Sequence, residues 1–362
     1  MPVYGQRCST GSNWSNTCLG RRNVRSQDVL GSHRKLAMKF LTVIARRALY
    51  AVMLVLAVII LNFLLIHIAP GDPVEVIAGE MGGATEEILE QIRAAYGLNE
   101  PLSTQLMVYL SNVLQGDLGQ SFYFNTPVLD LIIDRIWPTI LLVVSALLLS
   151  MVSGTVLGVL ASRKPDGIGS AIITVVSLIG YSAPVFWTGI MLIILFAWQI
   201  PVFPMSGMAT FGMSGGIVAQ MLDVLHHLVL PAISLALIYV AQYSRITRAS
   251  MLEVMGADYI RTARAKGVPE RVVVYKHALR NAILPGITLV GLQFGNLISG
   301  AVLVETVFNW PGLGTLAFDS ILARDYPTVL GLLLISSLVV IAANLLTDLC
   351  YRLADPRIDT AR

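Results

Sequence analysis

Gln293, Asn296 and Ser299 stand three residues apart in GLQFGNLISG, a polar thread through an otherwise apolar stretch. That spacing places them on one helix face. Amides and hydroxyls so placed can bond a neighbouring helix or line a path for a polar solute, and both readings stand. Other reactive groups inside apolar runs are sparse: Glu305 near the end of one and Asp348 near the end of the next. Ion-coupled carriers usually place ionisable groups or broken helices near the bilayer midplane, so a self-sufficient carrier or channel is the runner-up. His226 and His227 are adjacent, so on a helix they point about 100° apart and do not jointly grip a metal. Cys8, Cys18 and Cys350 show no metal spacing. The chain has no G-x-x-x-x-G-K-[ST], no G-x-S-x-G and no H-E-x-x-H. No catalytic role, cofactor or metal is therefore expected.

The remaining chemistry is charge. RTARAKGVPERVVVYKHALRNAILP, from Arg261 to Pro285, carries six Lys/Arg and the single acid Glu270. Gly256 and Gly267 bracket ADYIRTARAK, in which Ala257, Ile260, Ala263 and Gly267 share one face while Arg261, Arg264 and Lys266 flank it. Pro269 opens a second helix at a tolerated position, with Val272, Tyr275, Leu279 and Ile283 on its apolar side. The block could lie on anionic lipid or seat as a helix in the groove of a cytosolic partner. The small residues favour close approach to a protein.

These residues must be held by something that crosses a membrane. Of the 362 residues 55% are hydrophobic and 13% charged, and the mean hydropathy is +0.72. Runs of about 20 apolar residues match ~30 Å of hydrocarbon, and their lack of two-residue alternation favours helices over barrel strands. Six spans are expected: 49–68, 139–161, 171–200, 228–243, 283–308 and 328–351, an all-α membrane protein. Pro184 should bend the third. The basic residues orient them, since Lys and Arg are retained on the cytoplasmic side. The N-terminal segment, the turn at Arg163 and Lys164, the loop 245–282 and the tail together hold 22 of the 25 Lys/Arg. Arg93, Arg135 and Arg324 are the others. Both termini are thus expected in the cytoplasm, and the net charge of +3 follows from topology rather than from nucleic-acid binding.

The expected organisation is a cytoplasmic tail (1–47), a first transmembrane helix (48–68), an extracytoplasmic segment of short amphipathic helices (69–138), a five-helix core (139–351) and a cytoplasmic tail (352–362). Residues 1–37 read as disordered, with translation expected to begin at Met38. The first span is too long for a cleaved signal. In the outer loop after span five, Trp310 is of the type that sits at membrane interfaces, and Gly312 and Gly314 permit a sharp turn.

Four motifs in order, IAPGDP, LQGDLGQSF with PVLDLI, RTARAKG followed by HALRNAILP, and ETVFNWPGLG with RDYP, resemble those of ABC importer permease subunits. The chain is most similar to the first of the paired permeases in the dipeptide/oligopeptide/nickel group. The resemblance covers nearly everything after Met38. It implies the type I importer permease fold and partners: a second homologous permease, two cytosolic ATPases, an extracytoplasmic binding protein or lipoprotein, and the membrane lipid. Carried over by position, Ala257, Asp258, Tyr259, Arg261, Thr262, Ala263, Arg264, Ala265, Lys266 and Gly267 would form the helix that seats in an ATPase. Glu305, Trp310, Pro311, Gly312 and Gly314 form the outer-loop motif. The pattern's leading Glu falls here on Arg261, so no contact is carried over to that carboxylate. The implied cargo is a di- or oligopeptide, with nickel, glutathione or another small solute as the alternative.

Overall fold

The structure is a computed structural model that describes residues 49–65, 90, 99–121, 123–212 and 215–354. The 1–48 tail, IAPGDP, most of the expected outer segment before residue 99 and residues 355–362 lie outside the described residues. By internal contacts the chain divides at Ala57/Val58. Of the first unit only residues 49–57 are described, the apolar start of α1 (Leu49–Leu65). The second unit is helical among its described residues, with one isolated bridge between Gln120 and Pro127.

Its elements are α2 (Leu102–Leu114), α3 (Val128–Arg163), α4 (Ile168–Ser182), α5 (Val185–Ile193) with a π-helical continuation Ile194–Gln199, and α6 (Ile217–Met255). Then come α7 (Asp258–Ala265) and a composite α8 (Glu270–Val272, the π-helical Val273–Ala278, and Leu279–Ala282). They are followed by α9 (Leu284–Phe308), α10 (Leu313–Leu322) and α11 (Tyr326–Ala354). Among the described residues three helices are long and apolar enough to cross a membrane, within α3, α6 and α11, and a fourth if the bent pair α4–α5 counts as one span. The two further expected crossings fall on α1, described only to Leu65, and on α9, where the side chains of 291–292 and 294–300 lie outside the described residues.

Three differences from the expected spans have physical causes. Pro138 does not end a helix: α3 runs through it for 36 residues, ~54 Å at 1.5 Å per residue. The stretch 128–138, expected as a separate outer helix, is thus the first part of the spanning one. Asp130 in the first turn and Arg163 in the last complement the helix dipole. The expected span 171–200 is instead two helices meeting at 103° across Ala183–Pro184. Pro184 supplies no N–H and drives Ala183 to an extended ψ of 135°. Finally, α6 continues past Tyr243 to Met255, 39 residues in all.

α3 and α6 form the tightest pair. On α3, Gly154 and Gly158 are spaced as G-x-x-x-G, the pattern that lets helix backbones approach closely. A Cβ at Gly154 would lie 2.5 Å from Tyr243 Cβ, and one at Gly158 would lie 2.7 Å from both Ser244 O and Thr247 Cβ. Around this crossing a core gathers Leu142, Val143 and Ala146 of α3, Leu230 and Leu235 of α6, and Val304 and Phe308 of α9. A second cluster joins Val159 and Met251 to α7 and α8. A third packs Val128 and Ile132 against Leu313, Leu316 and Leu332. Asn62 Nδ2 donates to Leu330 O at 3.1 Å, fixing the second half of α1 to α11.

Replacing Gly158 by Val overfills this crossing and is expected to lower stability by about 1–3 kcal/mol, seen as a lower thermal midpoint in detergent. Gly169→Ala, where nothing lies within 4 Å of the new methyl, serves as the neutral control. Equal midpoints for the two variants would show that the crossing is not close-packed.

Candidate functional site

The basic block folds into a compact knee. α7 starts after Ala257, whose ψ of 150° marks it as the non-helical cap residue, and carries Asp258 in its first turn. It ends in a Schellman motif: Gly267 N donates to Arg264 O at 2.9 Å and Val268 N to Ala263 O at 3.2 Å. Gly267 holds a φ of +76°, which suits a residue without a Cβ. Its role is therefore to reverse the chain; open space surrounds it.

The small-residue face of α7 turns inward. Ile260 is fully buried, and Ala263 is half-buried against Val273, Val274 and Ala278 of α8 and Met251 of α6. Ile260 and Ala263 thus have packing partners within the chain, whereas Gly267 stays exposed. Small residues at helical spacing specify close packing and do not specify against whom. The outward surface is Asp258, Tyr259, Arg261, Thr262, Ala265 and Lys266. On α8 the buried side is Val273, Val274, Ala278 and Ala282, with Leu279 packed beside them, while Val272 and Tyr275 are exposed. The π-helical turn widens the helix there and shifts its face.

Two polar links hold the knee. Arg264 grips Glu270 with two bonds, Nε to Oε2 at 3.2 Å and Nη2 to Oε1 at 2.8 Å, and this hydrogen bonding keeps the Glu270 carboxyl below the usual carboxylate range. Asn281 Nδ2 donates to Tyr259 Oη at 2.8 Å. Arg264 is thus engaged within the chain, while Arg261 pairs loosely with the exposed Asp258 at 3.5 Å. Such exposed pairs contribute little stability; of the two, only Arg264–Glu270 joins α7 to α8.

At the opposite ends of α3 and α9 the ETVFNWPGLG motif forms a carboxyl-centred clasp. Glu305 is fully buried. Its Oε1 accepts from Thr139 Oγ1 and its Oε2 from Gly314 N, both at 2.6 Å. Thr139 Oγ1 in turn accepts from Leu313 N at 2.7 Å. A Cβ at Gly312 would lie 2.2 Å from Glu305 Oε1, and one at Gly314 would lie 2.7 Å from Oε2. The two glycines therefore leave room for the carboxyl. The turn itself begins at Asn309, which ends α9 in the left-handed region (φ 47°), a conformation Asn tolerates. Pro311 joins Trp310 to the Gly312 that caps α10.

Trp310 was expected at a membrane interface. It is fully buried instead, and its Nε1 donates to Pro138 O at 2.9 Å. Nearby, RDYP and LQGDLGQSF interlock: Ser121 Oγ and Thr328 Oγ1 donate to Asp325 Oδ2 at 2.5 and 2.6 Å. Thr139, Ser121 and Asp325 were missed as site residues, although the latter two lie inside quoted motifs. Nothing in the spacing shows that motifs about 200 residues apart touch.

Of the polar thread on α9, Gln293 is buried and donates from Nε2 to Gln242 Oε1 of α6 at 2.7 Å. It bridges two helices, one of the two expected roles. Asn296 and Ser299 follow on α9, with side chains outside the described residues. Among the described residues no group of His, Cys, Asp or Glu is arranged to hold a metal.

Buried glycine crossings, a short basic helix at one end and a buried-carboxyl clasp at the other are set in apolar helices long enough to cross a membrane. Comparison with known proteins gives the family. Residues 154–360 match the model of the binding-protein-dependent transport system inner membrane component, and residues 38–143 match its N-terminal companion. The chain belongs to this family and is a multi-pass inner-membrane permease component. It is 43% identical over 315 residues to a probable peptide ABC transporter permease of Sinorhizobium fredii, covering 87% of this chain and 98% of that one. It is 40% identical to the oligopeptide transport permease AppB of Bacillus subtilis, over 87% and 98% of the two chains. It is also 40% identical to the dipeptide transport permease DppB of Escherichia coli, over 84% and 94%.

Glu305→Gln sets an amide N–H against either Thr139 or Gly314, and Thr139→Val strips the carboxyl of a donor. Each is expected to cost about 1–3 kcal/mol and to speed amide hydrogen exchange across 310–316. Thr139→Ser, which keeps the hydroxyl, should exchange like the native chain. Unchanged exchange in both damaging variants would show that the carboxyl does not hold this loop.

Proposed function

We propose that this chain is one of two homologous permeases in an ATP-driven importer of di- or oligopeptides, with both termini in the cytoplasm. The single observation that carries the cargo is about 40% identity, over nearly the whole length, to relatives named for peptide, oligopeptide and dipeptide transport. One of two cytosolic ATPases would bind the α7–α8 knee and the other the second permease, and an extracytoplasmic binding protein or lipoprotein would deliver peptide at the clasp end. The excess of Lys/Arg in alternate loops supports this orientation.

In this reading ATP-driven closure pulls on the outward residues of α7: Asp258, Tyr259, Arg261, Thr262, Ala265 and Lys266. The inward Ile260 and Ala263 pass the pull to α6 and α8 through the cluster they share. A conformational equilibrium shifts only if the partner binds its two states differently; the ATPase grip on α7 would supply that difference. The closed α7–α8 angle, held by Arg264–Glu270, makes the knee a unit that moves without unfolding.

Ala265→Trp projects bulk from the outer side of α7 and is expected to abolish uptake of labelled dipeptide in a deletion strain while leaving membrane level and thermal midpoint unchanged. Arg261→Glu with Lys266→Glu should weaken co-purification of the ATPases most at low ionic strength, where these exposed charges are least screened. Normal uptake and normal ATPase recovery in both variants would remove α7 from the contact. A deletion strain that takes up di- and oligopeptides as well as its parent would remove the assigned cargo.

A further inference from the structure

A cleft of about 370 Å³ opens between α4 and α6. Its polar lining is Thr174, Ser177 and Tyr181 from α4 and Gln242, Ser244, Arg245 and Arg248 from α6. It holds two guanidinium groups and no acid. Arg248 is anchored by one nitrogen, Nη2 donating to Pro165 O at 3.0 Å. Its Nε and the Ser177 hydroxyl are buried and have no hydrogen-bond partner among the described residues. A buried donor left without an acceptor costs about 1–3 kcal/mol, so this wall is short of acceptor oxygens. An anion rich in oxygens supplies both what the charges and what the donors need, and Arg presents its nitrogens in a fork suited to phosphate.

We propose that this cleft binds a phosphate group, and that the occupant is the headgroup of an anionic phospholipid. The surroundings select the lipid over a free anion. On the same helix as Thr174 and Ser177, α4 leaves Ile172, Val175, Val176 and Ile179 exposed, an apolar flank along which acyl chains can lie beside the headgroup. The arginines are on the α6 end that leads into the basic knee, where headgroups of the same leaflet lie. Ser177 offers its hydroxyl to the ester and glycerol oxygens, while Thr174 Oγ1 donates to Ser170 O at 2.8 Å within α4. Basic pockets between membrane helices hold anionic headgroups in this way. The inference does not rest on the peptide cargo.

Native mass spectrometry of the full chain, purified in detergent and supplied with equal amounts of phosphatidylglycerol and phosphatidylcholine, tests it. The native chain is expected to retain one phosphatidylglycerol in preference, and Arg245→Gln with Arg248→Gln to lower that retention about tenfold or more. If the double variant fails to fold, Ser177→Ala and the native chain's own lipid preference still decide the matter. Equal retention of the two lipids overturns the proposal, as does a preference that survives the substitutions. Binding of inorganic phosphate by the native chain without a lipid preference overturns the assigned occupant. Peptide uptake is not read here, so failure would leave the importer reading standing.

Discussion

A carboxyl group shielded from water must find donors inside the protein, because leaving it without them costs several kcal/mol. Glu305 meets this demand with a threonine from α3 and a backbone N–H from the first turn of α10. Three segments are thereby fixed by one side chain. The end of α9 cannot move without Thr139, and the Trp310 turn cannot open without uncovering the carboxyl. Trp310 adds a second tether to the same region of α3 through Pro138 O. The clasp is therefore a constraint on backbone geometry first and a charge feature second.

The crossing of α3 and α6 is the complementary constraint, made by absence rather than presence of atoms. Between lipid-embedded helices there is little hydrophobic driving force, so association relies on close van der Waals contact. Gly154 and Gly158 provide it by letting α3 meet the backbone of α6 near Tyr243, Ser244 and Thr247. One end of this pair carries the clasp and the other carries the knee. The clasp and the knee are thus joined through long unbroken helices of 36 and 39 residues.

Much of this was legible in the sequence. Apolar runs located α9 almost to the residue, because its polar thread does not interrupt a long hydrophobic stretch. Pro269 and Gly267 marked the chain reversal between α7 and α8 correctly, since few residues tolerate those positions. Proline was the weaker guide inside long helices. Pro138 and Pro231 sit within continuous ones, while Pro184 marks a full break. The residue is the same; the tertiary support differs. The inward face of α7 could not be told from an outward one, because Ala263 fits a tight contact with any partner. Trp310 misled because an amphipathic aromatic suits both an interface and a core that offers its N–H an acceptor.

The break between α4 and α5 has a consequence for how the molecule can come apart. Backbone groups freed at such a break are tolerated at membrane depth only against protein or trapped water. Here Ser234 of α6 donates to Val185 O at 3.2 Å, and Gly189 lets α5 press on Ser234 and Phe308. Peeling the pair away from α6 would strip the broken backbone of protein neighbours it has at Ser234. Lipid thus acts as an enforcer of cohesion: whichever parts of the chain slide or tilt, α4, α5 and α6 are bound to travel as one block.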